Sequence, residues 1–115
     1  MAGLKERVRK HADPERVRRL EVPEWGDESG KPLVITYGMV TLGDLAKVHE
    51  LEGANAPWQK QAARIVVMKA RDEDGKPLFA MGDAHFLMTE ASPGVVNRIA
   101  ISMYGSLTIE DAVKN

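Results

Sequence analysis

Cysteine is absent from the 115 residues. Disulfides, thiolate metal sites and cysteine nucleophiles are therefore excluded, and the composition fits a reducing cytoplasm. Long apolar runs are also missing. No stretch approaches the roughly 18 residues of a membrane span. The opening residues 1–19 hold no apolar signal core and do not read as a secretory leader. Aromatic residues make up 5% of the chain, and histidine occurs three times, as His11, His49 and His85. The three are far apart, and no His-x-x-x-His pair sets two imidazoles on one helix face, so a zinc centre is not expected. Neither Gly30-Lys31 nor Gly75-Lys76 has the upstream glycine of a phosphate-binding loop. Ser29, Ser92, Ser102 and Ser106 lack the setting of an activated nucleophile. No cofactor is expected, and catalysis finds no support.

What is present is a globular composition, 43% hydrophobic and 29% charged, with net charge −1. A chain of this size hides roughly two-thirds of its unfolded surface, enough for one core. The charge is unevenly spread. Residues 1–19 carry seven Lys/Arg against Glu6, Asp13 and Glu15, a net +4. The rest carries nine positive and fourteen negative residues, a net −5. Residues 1–15 read as a basic N-terminal segment open to fraying. Such a head raises one alternative, a small nucleic-acid-associated regulator, although it lacks interleaved aromatics and a reading helix.

Spacing predicts an α+β fold, mainly helical: an N-terminal β-hairpin followed by four to five short helices. Gly3 to His11 forms a weak short helix. Val17, Leu20 and Val22 pair with Leu33 to Tyr37 across a long turn, with Pro32 at the start of the second strand. Thr41 to Asp44 approximates a capping box. It opens a helix with Leu42, Leu45, Ala46 and His49 on one stripe, stopped by Gly53. Pro57 enters the next helix, whose all-round apolar run Ile65-Val66-Val67-Met68 marks it as central. Asp72 to Leu78 echoes Asp27 to Leu33 almost residue for residue, one turn chemistry used twice. Asp72-x-Asp74-Gly75 resembles part of a calcium loop, but the glycine comes fourth where sixth is needed. Asp83 opens a helix with Ala84, Leu87, Met88 and Ala91 on its stripe, and Ser92-Pro93 opens another with Val95, Val96, Ile99, Ala100 and Met103. Gly105 ends that one, and Thr108 to Asp111 starts a short last helix.

Three large apolar residues fall on the wrong side of these stripes. A helix turns about 100° per residue. Phe86 therefore lies away from Ala84, Leu87 and Met88, Ile101 lies opposite Val95, Ile99 and Met103, and Leu51 falls off the Leu42/Leu45 side. Either the bundle packs on both faces or these residues join in a partner-binding surface. Leu51, Phe86 and Ile101 are the candidate contact residues, and Trp25 and Trp58 are structural, with Trp25 holding the hairpin loop onto the helices.

Val22-Pro23-Glu24-Trp25-Gly26, a short strand, and a helix from Thr41 resemble the opening of phage tail assembly chaperones. The resemblance continues through Asp72-x-Asp74-Gly75-x-Pro77-Leu78-Phe79, the acidic start at Asp83, Val95-x-x-Arg98-Ile99, and Thr108-x-Glu110 to Lys114-Asn115. It spans about residues 16–115, which it implies to be a single tail-assembly-chaperone-like domain. Residues 33–40 lack the arginine that such proteins often show, and the basic head lies outside the pattern. The family implies a non-catalytic protein of long-tailed phages and related prophages. Such proteins bind the tape measure protein, help recruit tail tube subunits, act in the host cytoplasm and are absent from the mature virion. Homo-oligomerisation is a further partner option, whereas nucleic acid and membrane are not expected. Lys114-Asn115 can be encoded by an A-rich slippery heptamer, so the resemblance also implies a longer frameshifted product.

Overall fold

The computed structural model describes residues 3–12 and 17–105. It holds an N-terminal helix, a two-stranded hairpin and four further α-helices among those residues, an α+β architecture that is mainly helical. Helix α1, Leu4–Ala12, has Glu6 in its first turn and Arg9, Lys10 and His11 in its last, which suits the helix dipole. It buries none of its residues.

Strands β1, Arg18–Val22, and β2, Leu33–Tyr37, pair antiparallel with Leu20 opposite Ile35 and Val22 opposite Leu33. The strand period of two turns Val22, Ile35 and Tyr37 into the core. The other edge of β2 is met by Arg71, whose backbone exchanges two hydrogen bonds with Thr36, at 2.8 and 3.0 Å.

The repeated turn is a repeated geometry. In the first copy, Asp27 Oδ1 accepts the backbone N–H of Ser29 and Lys31, at 2.9 and 3.1 Å. In the second, Asp72 Oδ1 accepts those of Asp74 and Lys76, at 2.8 and 2.9 Å. Each turn needs a left-handed residue, and glycine supplies it: φ is 88° at Gly30 and 82° at Gly75. The carboxylate of Asp72 thus serves the turn.

Helix α2, Leu42–Glu52, begins with the expected capping box: Thr41 Oγ1 accepts from Asp44 N at 3.0 Å, and Asp44 Oδ2 from Thr41 N at 2.9 Å. Gly53, at φ 99°, ends it. Helix α3, Trp58–Lys69, has Pro57 as its N-cap, one residue earlier than the first-turn position expected. Helix α4, Ala84–Glu90, follows a 3₁₀ turn at Met81–Asp83, so the helix proper starts one residue after Asp83. Helix α5, Pro93–Tyr104, stops at Gly105 with φ 62°. The helix expected from Thr108 lies outside the described residues.

Helix α3 is the centre of the core, as its apolar run implies. Ala62, Ala63, Ile65, Val66 and Val67 are all buried, and α2, α4 and α5 each pack on it. Val95, Val96, Ile99, Ala100 and Met103 of α5 are buried as expected. Two stripes need correction. On α2 the buried residues are Leu45 and Val48, while Leu42 is 85% exposed and Ala46 is also exposed. Two ion pairs set that rotation. Asp44 meets Lys69 at 2.9 Å and Glu52 meets Arg64 at 2.7 Å, which brings the Asp44/Val48/Glu52 side against α3. On α4, Ala84 and Leu87 are buried but Met88 is 43% exposed, because it borders a groove rather than the core.

Candidate partner-binding surface

The loop joining the strands is anchored residue by residue. Pro23 starts a 3₁₀ turn, Pro23–Trp25, where its missing N–H costs nothing. Glu24 forms a two-pronged pair with Arg98 of α5, at 2.6 and 2.7 Å. The Arg98 guanidinium beside Glu24 holds that carboxyl down at about 2. Trp25 packs against the core and meets Phe79 edge-on at 6.4 Å, which fastens the loop to the segment after the second turn as well. Gly26 lies where Lys31 O approaches most closely. The Pro-Glu-Trp-Gly stretch is thus a fastening for the hairpin onto α5 and the second turn.

A second tie joins the helices. Arg64 of α3 donates to Glu52 of α2 at 2.7 Å and to the Met81 carbonyl at 2.6 Å. One side chain therefore pins the end of α2 and the approach to α4. Gln61 is wholly buried on α3 and donates to the Ala56 carbonyl at 2.8 Å, closing the α2–α3 connection. Its neighbours Gln59 and Lys60 are exposed, and nothing in the local sequence sets Gln61 apart from them.

The three candidate contact residues stand on three helices. Leu51 of α2 is 41% exposed, Phe86 of α4 54% and Ile101 of α5 41%. Their helices pack around α3 rather than chiefly on one another, so the three are presented separately from a common scaffold. His49 is half-buried on α2. The Asp83 carboxylate accepts from Ala80 N at 2.8 Å, while His85 is exposed two residues on, and the two form no dyad. No cluster of three or more His, Cys, Asp or Glu able to hold a metal occurs among the described residues. No described helix is long and apolar enough to cross a membrane.

Sequence spacing did not reveal a groove of about 470 Å³ between the start of α3, the end of α4 and the start of α5. Trp58, Ala62, Leu87, Met88, Val96 and Asn97 are among its lining residues. Small residues create it: Ala63, Ala91 and Gly94 leave space that larger side chains would fill. Trp58 forms one wall, held by a 2.6 Å hydrogen bond from its Nε1 to Asn97 Oδ1 and by Tyr104, whose ring centre is 5.3 Å away. Burial pushes the Tyr104 hydroxyl up to about 12. A rigid aromatic wall facing the flexible Met88 suits an apolar side chain of varying shape. Chemically, the surface offers apolar contact and shape, with few polar groups to orient a small substrate. Comparison with protein-family models, with curated proteins and with solved structures gives no match to this chain.

Proposed function

We propose that this chain is a non-catalytic chaperone of phage tail assembly, which binds apolar helical segments of the tape measure protein and helps recruit tail tube subunits. On this reading it works in the host cytoplasm and leaves before the virion is complete. One observation carries the proposal: a well-packed helical body presents Leu51, Phe86 and Ile101 to solvent and keeps an apolar groove edged by the exposed Met88. Exposed apolar groups on a rigid frame suit helix-in-groove recognition, in which side chains of an amphipathic partner enter pockets at helical spacing. Single contacts of this kind are weak, but many repeated along a long ligand add through avidity. The Pro-Glu-Trp-Gly resemblance supports the same reading, since that stretch fastens the hairpin to α5, the helix that carries Ile101.

The experiment is co-expression with a tape measure protein from the same genome. The chain is expected to move that protein from the insoluble to the soluble fraction. Leu51→Glu, Phe86→Glu and Ile101→Glu change exposed positions, and combined they are expected to abolish the effect without loss of helix content. A tape measure protein that stays insoluble, or a triple variant as effective as the parent, overturns the proposal.

A further inference from the structure

Helix α1 is an amphipathic helix whose apolar stripe faces solvent. Leu4 and Val8, one turn apart, are 68% and 61% exposed, and no residue of the helix is buried. Around that stripe the helix carries Lys5, Arg7, Arg9 and Lys10 against Glu6, a net +3. A cleft of matching character lies elsewhere on the chain. Between the two like turns is a space of about 380 Å³ with Trp25, Leu33 and Val34 on its apolar side. Asp27, Asp72, Glu73 and Asp74 stand around it against Lys31, and with Arg19, which pairs with Glu73 at 3.4 Å, the balance is a net −2.

We propose that the cleft between the turns of one copy receives the basic helix α1 of a second copy, and that the chain self-associates by reciprocal exchange of these helices. Leu4 and Val8 would enter beside Trp25 and Leu33, with Lys5 and Arg7 reaching Asp74 and sharing Glu73 with Arg19. The inference does not rest on the chaperone reading. Two arguments favour a second copy over a polyanion. The apolar stripe gains nothing on a phosphate backbone, where charge alone is rewarded. The cleft, being acidic, repels nucleic acid from the body of the molecule. Reciprocal exchange also closes the assembly at two copies, whereas one-way docking would propagate.

The test is light scattering and sedimentation of the full chain at low and high salt. A dimer that weakens as salt rises is expected, because the contact pairs opposite charges near the surface. Lys5→Glu with Arg7→Glu is expected to weaken it by at least about tenfold, as is Glu73→Lys with Asp74→Lys. Combining all four reversals in one chain restores opposite charges and is expected to restore the dimer. Val8→Asp, on the exposed stripe, is expected to give a monomer with unchanged helix content. A wild-type monomer at every salt concentration overturns the proposal. So does a dimer indifferent to the α1 reversal, or a four-fold reversal that stays monomeric. Duplex DNA or anionic vesicles that bind α1 while the protein remains monomeric also overturn it.

Discussion

Gly26→Ala isolates one atom. A Cβ at that position would stand 2.5 Å from Lys31 O, 3.1 Å from Pro23 O and 3.3 Å from Lys31 C, all backbone atoms. Gly26 has an ordinary φ of −71°, so the conflict is one of space rather than of backbone conformation. The crowding follows from two hydrogen bonds, Asp27 N to Lys31 O and Gly26 N to Pro23 O, each 3.0 Å. To reach ordinary contact Lys31 O must withdraw by nearly an ångström, which breaks the first of them. Losing that bond costs about 1 kcal/mol. Overpacking adds about 1–3 kcal/mol, so a total near 2–4 kcal/mol is expected. Gly43→Ala is the matched control. Its Cβ would sit 3.6 Å from Thr41 Oγ1 in the first turn of α2, an ordinary contact. The same substitution there should stabilise the protein by about 0.5–1 kcal/mol, because alanine loses less backbone freedom in a helix. Urea unfolding followed by circular dichroism measures both. Opposite signs are the expected result. A Gly26→Ala protein as stable as the parent would refute the reasoning, since it would mean that the loop yields freely where it has been described as fastened.

Glu24 should titrate at about 2, against 4.5 for an unperturbed glutamate, because Arg98 favours its charged form. A depressed folded value means that the pair's stabilisation is fully present above pH 4.5 and is lost as pH falls toward 2. Carboxyl NMR checks this, with Arg98→Ala expected to return Glu24 toward its ordinary value; a midpoint unchanged by that substitution contradicts the pairing. Thr41→Ala removes one half of the capping box and should cost about 1 kcal/mol in the same urea assay. Ile99→Ala, at a position with no exposure, should cost about 2–5 kcal/mol. Ile101→Ala, two residues on but 41% exposed, should stay within about 0.5 kcal/mol. Equal losses at the two sites would show that α5 faces the core differently.

Local chemistry made much of the fold legible. The like turns could be read because aspartate and glycine act within five residues, and the cap of α2 because threonine and aspartate act within four. The rotation of α2 could not be read, since Asp44 and Glu52 find their cations on α3, and no periodicity within α2 announces them. The Glu24–Arg98 pair spans 74 residues and was hidden for the same reason. Exposure of Phe86 and Ile101 followed from counting helix angles, whereas the same count placed Leu42 and Met88 in the core and they are exposed. The groove did not, because it is made by what Ala63, Ala91 and Gly94 fail to fill on three separate elements.

The pairing of Arg71 with Thr36 leaves the hairpin lopsided as a template. Its inner strand is met at Thr36 on its far flank, so among the described residues the outer rail of β1 is the longer open edge for a foreign chain seeking to extend the ladder. There it would meet Arg18, a long cationic side chain exposed to water, and Arg19, which is paired with Glu73 at 3.4 Å. A chain that leaves apolar helix surface open is thereby guarded against extending its sheet with a strand from another molecule.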